Sequence, residues 1–276
     1  MKSLLKNPIV VAGFLLLVLV CVLFNPIIFG GKTFGSSDSL APKAVGIALN
    51  SIQEKTGEFP LWQPWVFSGM PTAEAFTNVS KLYFPDYLSN LFFLPGMIIQ
   101  LLHLLFAGIG GFILLRHFKC SEWAARLGAV AFMITPYMVT MVVFGHGSQM
   151  MTAAYIPWIL WLTVRLWQNP NLWNTGWLAI LLGFQLQRAH AQIAYYTWLL
   201  IGAYSLLILI NGIRNSEDRS NIGKGFGLFS LACLIGIGIS LLIYLPAMEY
   251  TPFSVRGGSA GGGADYNYAT GWSFHP

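Results

Sequence analysis

The run LGAVAFMITPYMVTMVVFGHGSQMMTAAYIPWILWLTV, from Leu127 to Val164, contains no Asp, Glu, Lys or Arg. A helix crossing a bilayer takes roughly 17–25 mostly apolar residues. The run is too long for one crossing, and Gly145-His146-Gly147-Ser148 interrupts it with the small residues of a turn. It therefore predicts two crossings, 123–144 and 148–167, joined at that turn.

The same reading extends in both directions. Further uncharged stretches cover 7–31, 87–115, 166–187, 189–213 and 225–248, each suited to one crossing. The expected fold is an all-α polytopic membrane protein of about seven spans: 8–29, 91–115, 123–144, 148–167, 174–189, 191–213 and 225–246. Composition agrees. Charged residues make up 9% and hydrophobic types 55%, against ~25% charged in a soluble domain. That excludes a water-soluble globular fold, and there is too much apolar surface for disorder. Lys2 and Lys6 before the first span resemble a signal-peptide n-region, but no small-x-small cleavage site follows, so the segment reads as a retained span. Cys21 and Cys233 fall in spans and Cys120 in a short loop, which gives neither a disulfide framework nor metal spacing.

Lys and Arg set the orientation. With the N-terminus cytoplasmic, the short inner segments hold Lys2, Lys6, Arg116, Lys119, Arg126, Arg165, Arg214, Arg219 and Lys224. Lys32, Lys43, Lys55, Lys81, Arg188 and Arg256 are spread over longer outer segments. The net charge of +5 thus has a membrane explanation and forms no nucleic-acid patch. Most acids fall outside: Asp38, Glu54, Glu58, Glu74, Asp86, Glu249 and Asp265.

Residues 1–276 read as one transmembrane domain. Segment 30–90 forms a long first extracytoplasmic loop and 247–276 starts a second. Within the first, 40–56 reads as an amphipathic helix with Val45, Ala48, Leu49 and Ile52 on one face and Gly57 as its cap. Trp62, Trp65 and Phe67, among Pro60, Pro64 and Pro71, suit a rigid interfacial structure on the outer leaflet. Nothing resembles a phosphate loop, because the Gly-rich run 257–263 neither follows a strand nor opens a helix.

Several motifs recur in a known order: Phe59-Pro-Leu-Trp62 with Phe67-Ser-Gly-Met-Pro71; Gly145-His146 with Gln149 and Ala154-Tyr-Ile-Pro-Trp158; His190-Ala-Gln-Ile-Ala-Tyr-Tyr196; and Glu249 with Ser254-Val-Arg256 and Ala269-Thr-Gly-Trp-Ser273. Together they resemble the YfhO-type bacterial membrane proteins over nearly the whole chain. That family resembles the GT-C class of polytopic glycosyltransferases. The resemblance implies the N-terminal portion of a longer enzyme in the bacterial cytoplasmic membrane. Such an enzyme moves a sugar from a polyprenyl-phosphate carrier to an envelope glycan or lipid acceptor on the outer face. One departure is Ala191, where the family often has proline after the histidine.

Such a transfer needs a base, a cation for the leaving phosphate and an apolar groove for the lipid. Asp38, shortly after the first span, is the expected base, with an N-cap for the following helix as its structural role otherwise. Asp86 is a second catalytic candidate, the plain alternative being a solvated carboxylate or helix cap. Arg188 and His190, at the outer end of the fifth span, and His146, at the outer end of the third, are expected to bind the donor. Glu249 and Arg256 are expected at the sugar. A divalent metal held by histidine and Asp38 is an open cofactor assignment, with no ligand count fixed. His103 reads as packed within its span, and Gly236, Gly238 and Ser240 as small residues for close helix packing. The competing functions are a transporter or lipid flippase, whose ionisable groups usually lie near the midplane, and a non-catalytic scaffold for envelope assembly.

Overall fold

A computed structural model describes residues 7–65, 69–72, 83–214 and 219–253. It is mostly helical, at 80%. The expected contributions of Phe67, Glu74, Arg256 and the Gly-rich run 257–263 lie outside the described residues.

Helix α1 (Pro8–Leu23) opens with the Asn7 side chain accepting the Ile9 N–H at 2.9 Å and with Pro8 in the first turn. An N-cap side chain and a proline needing no N–H both favour a start there. A short turn, α2 (Asn25–Ile28), leads to α3 (Ser37–Thr56). This helix ends as expected at Gly57, whose φ of 79° supplies the left-handed cap. Trp62–Gln63 (β1) pairs antiparallel with Met70–Pro71 (β2). The expected proline-rich turns thus include a small hairpin. Gly69 has φ of 118°, and a Cβ there would lie 2.5 Å from the Trp62 ring, so only glycine fits beneath the indole.

Next come α4 (Phe84–Leu91) and α5 (Gly96–His117). The second span therefore starts at Gly96 rather than 91. Pro95, at the N-cap, lacks an N–H for a continuous helix and drives the preceding residue out of the helical region. Phe93 takes a φ of 52° in the link.

The decisive run 127–164 does fold back at Gly145, φ 89°, but each arm is broken by a proline. The first is α6 (Glu122–Met133) plus α7 (Pro136–Val143); the second is α8 (Gly147–Ala154) plus α9 (Ile156–Gln168). Pro136 and Pro157 each open a new helix, and Thr135 caps α7 through the Met138 N–H. The chain continues as α10 (Leu172–Gln187), α11 (Ala191–Arg214) and α12 (Arg219–Tyr250). Ala191 is the first residue of α11, a position that also suits proline.

Among the described residues, four helical stretches are long and apolar enough to cross a membrane: Gly96–His117, Glu122–Val143, Ala191–Arg214 and Ser220–Phe253. Helices α1 and α10, at 16 residues each, reach about 24 Å against a hydrocarbon core of about 30 Å. The α8–α9 arm bends at Tyr155. The all-α membrane class thus stands with four crossing-length helices, while the other three expected spans are apolar helices that are short or bent.

Helix α5 sits centrally, with Leu104, Ala107 and Phe112 fully buried against Leu16, Ala125, Ala129 and Met133. Helices α10 and α12 pack closely at Gly183 and Gly236. A Cβ at Gly183 would lie 2.7 Å from Ile239, and one at Gly236 would lie 2.8 Å from Leu182. Gly238 has open space instead, and Ser240 is buried with its hydroxyl donating to the Ile237 carbonyl at 2.8 Å. Around the bundle Leu127, Leu199, Leu234 and Leu242 are exposed, a surface stable against lipid and unfavourable in water.

The bundle has two chemically distinct ends. At one, His117 and Gln168 share a hydrogen bond of 2.9 Å, and Gly225 lies against Trp167 and Pro170. This end gathers Arg116, Lys119, Arg126, Arg165 and Lys224. The other end carries Asp38, Asp86, His146, Arg188 and His190, while His117 and Glu122 stay at the basic end.

Candidate functional site

Two ionisable clusters occupy the second end. The more open one joins α3 to the α7–α8 turn. Asp38 lies in the first turn of α3, beyond the Ser36 N-cap, where a carboxylate complements the helix dipole. The N-cap position expected for Asp38 is thus held by Ser36. His146 sits just before α8, and its Nε2 lies 3.2 Å from the Asp38 Oδ2, both side chains remaining about half exposed. Gly147 lets the Gln100 amide approach this turn, since a Cβ there would come within 2.5 Å of it. His190 opens the link into α11 near enough to His146 for their charges to interact. Burial, then the charge of His146, pushes its pKa below the usual value. The buried His190 Nδ1 has no hydrogen-bond partner among the described residues.

The second cluster is buried. Arg188 forms the C-cap of α10, and Ala189 takes a φ of 54°, turning the chain sharply towards His190. The Arg188 Nη1 lies 3.6 Å from the Asp86 Oδ2, with side-chain exposures of 7% and 9%. Asp86 is thus neither a solvated carboxylate nor a bare acid at the interface: it is the partner of the guanidinium. Burial raises its pKa and Arg188 opposes that rise. The Arg188 guanidinium also lies 4.5 Å above the Tyr83 ring, a contact favoured by the ring quadrupole. Its Nε has no hydrogen-bond partner among the described residues.

Beneath this pair runs a polar chain that the sequence reading missed. His103 Nδ1 donates to the Ile99 carbonyl at 2.8 Å, so Nε2 carries the lone pair and accepts from the Tyr83 hydroxyl at 2.9 Å. Tyr83 spends its one proton there, so Tyr155 donates to the Tyr83 oxygen. Burial, then Tyr155, holds the Tyr83 phenol far above its ordinary pKa, so it stays neutral. Gln187 fastens the layer. Its Oε1 accepts the Phe84 N–H at 3.2 Å and its Nε2 donates to the Ile239 carbonyl at 3.0 Å. His103, expected to be merely packed, is therefore a fixed acceptor under the ion pair. The signal available in the sequence was Gln185 and Gln187 in an otherwise apolar helix, since buried amides need partners.

An apolar crevice of about 240 Å³ opens beside the buried pair, lined by Pro85, Asp86, Phe92, Leu94, Ile99, Leu102 and His103.

Of the expected site residues, Asp38 pairs with His146 and Asp86 with Arg188, and His190, two positions after Arg188, lies within electrostatic reach of His146. Glu249 is exposed at the end of α12. Arg256 lies outside the described residues. No group of three or more His, Cys, Asp or Glu side chains that could hold a metal ion is assembled among the described residues. No protein-family model, curated protein or solved structure matches the chain, so the functional reading rests on these side chains and on the motif resemblance.

Proposed function

We propose that the protein is a GT-C-like membrane glycosyltransferase of the YfhO type. It takes a sugar from a polyprenyl-phosphate carrier and gives it to an envelope glycan or lipid acceptor on the outer face of the bacterial cytoplasmic membrane. The proposed topology has seven crossings with the N-terminus cytoplasmic. The collection of Arg116, Lys119, Arg126, Arg165 and Lys224 at one end supports it under the positive-inside rule. It makes the Asp38–His146 end extracytoplasmic.

The observation that carries the reading is a half-open carboxylate–imidazole pair at the same end as a buried guanidinium whose partner, Asp86, lines an apolar crevice. In the proposed reaction the acceptor hydroxyl loses its proton to Asp38, and its oxygen attacks the anomeric carbon. The bond from that carbon to the phosphate oxygen breaks, the electron pair leaving with the phosphate, and the configuration inverts. His146 holds the Asp38 carboxylate in place, a positioning role. Arg188 supplies the cation for the leaving phosphate, with Asp86 keeping the guanidinium oriented. The crevice takes the start of the isoprenoid tail.

A lipid flippase is the second reading. The buried Arg188–Asp86 pair favours it, because ionisable groups inside a helical bundle often mark a transport path. One experiment separates the two. The protein purified from membranes is reconstituted into vesicles with radiolabelled polyprenyl-phosphate sugar and envelope acceptors. Label appearing in the acceptor supports the transferase. Label crossing the bilayer still attached to its carrier supports the flippase, and neither outcome leaves a scaffold.

A further inference from the structure

The basic end of the bundle holds a second cleft, separate from the site above. It has a volume of about 270 Å³ and is walled by Trp158, Trp161, Trp173 and Trp177, with Arg165 and Asn174 at its polar margin. Its walls are fixed. The Trp158 indole donates to the Phe106 carbonyl at 2.8 Å and stacks on the Phe106 ring with centroids 4.9 Å apart. Asn174, buried, donates to the Asn169 carbonyl at 2.9 Å. Trp173 and Trp177 stand edge to face at the exposed rim.

Arg165 decides what such a cleft would hold. Its guanidinium lies 5.0 Å over the Trp161 ring. No carboxylate forms an ion pair with it among the described residues, whose pairs are Arg126–Glu122, His146–Asp38 and Arg188–Asp86. The surrounding end adds Arg116, Lys119, Arg126 and Lys224, so the local field favours an anion. Tryptophan rings are the side chains that settle at the headgroup boundary of a bilayer. An apolar slot at that depth, with one guanidinium at its mouth, matches a phospholipid: the phosphodiester on Arg165 and the upper acyl chain along the indoles.

We infer that the Trp158–Trp161–Trp173–Trp177 cleft binds an anionic bilayer phospholipid, its headgroup phosphate held by Arg165. The site does not depend on the transferase reading. It ties α5, α9 and α10 together at the end opposite the ionisable clusters.

The test uses the full chain in nanodiscs and tryptophan quenching by lipids brominated on the acyl chain. Brominated phosphatidylglycerol is expected to quench at a lower mole fraction than brominated phosphatidylcholine, by roughly fivefold, the worth of one cation beside an anionic headgroup. Arg165→Gln is expected to remove that preference and Arg165→Lys to keep most of it. Trp173→Phe combined with Trp177→Phe is expected to shrink the preferentially quenched fraction. Helical circular dichroism confirms that each variant is folded. Equal quenching by both lipids in the unaltered protein would mean annular lipid only and would overturn the inference. So would a preference that survives in folded Arg165→Gln. A Trp173/Trp177 double variant with an unchanged quenched fraction would also count against this location.

Discussion

Replacing Arg188 by methionine tests whether the buried pair organises its end of the bundle. Methionine keeps most of the length and the apolar stem while removing the charge. At the observed 3.6 Å separation, the Coulomb attraction with an effective dielectric of 20 is about 4–5 kcal/mol. Losing the guanidinium also forfeits the contact with the Tyr83 ring, about 1–2 kcal/mol in a desolvated setting. Against this stands the cost of burying two charges, which the variant partly recovers. Removing one partner of such a pair costs about 3–5 kcal/mol because the other is left uncompensated. Asp86 in Arg188→Met loses the charge that opposes the rise of its pKa and is expected to take up a proton. Arg188→Met and Asp86→Asn are each expected to lose about 3–5 kcal/mol, and the double variant to return to within about 1–2 kcal/mol of the original. The assay is reversible denaturation of the purified protein in mixed micelles, followed by far-ultraviolet circular dichroism. Single variants that cost under about 1 kcal/mol and add without coupling would show that the pair contributes nothing, and the argument from burial would fail.

Three further outcomes follow from the geometry. Tyr83→Phe removes the donor to His103 and the acceptor for Tyr155, so a loss of about 1–3 kcal/mol is expected in the same assay; no loss would mean that water replaces the hydroxyl. Gly69→Ala puts a Cβ 2.5 Å from the Trp62 ring at a φ of 118°, so the variant should show altered indole fluorescence in a Trp62-dependent manner, and an unchanged spectrum would remove the tight packing. The folded-state pKa of His190 lies below its ordinary value through burial and the charge of His146. The folded state therefore binds fewer protons than the unfolded one, and stability contributed by this group falls as pH drops through the window just below 6.5; His190→Gln should flatten that slope, and an unaltered slope would contradict the assignment.

The sequence disclosed the class of fold and the end of the bundle where chemistry collects, for reasons particular residues make plain. Runs without charge mark apolar helices because lipid tolerates no unpaired polar group. Lys and Arg clusters separate the two ends because they follow field and topology rather than packing. The turn at Gly145 was legible because glycine alone takes that φ readily. What stayed hidden depends on contacts between distant segments. Asp86 and Arg188 are 102 positions apart, and neither names the other in the chain. Tyr83 and Tyr155 look like ordinary interfacial aromatics until His103 is seen to accept a hydrogen bond from one of them. Pro136 and Pro157 were visible and each opens a new helix, yet Glu122–Val143 keeps crossing length while the arm through Tyr155 is divided into two short helices. Hydrophobicity alone cannot tell a bent crossing from a straight one.

The central claim is that Asp38 takes the acceptor's proton at the end of the bundle where Arg188 meets the leaving phosphate. The most direct measurement compares the unaltered protein with Asp38→Asn for two quantities in the same vesicles: binding of polyprenyl-phosphate sugar and transfer of its label to the acceptor. The account predicts donor binding within about twofold and a loss of transfer of roughly 10²–10⁴-fold, the worth of a positioned general base. Transfer at the unaltered rate by folded Asp38→Asn would contradict it.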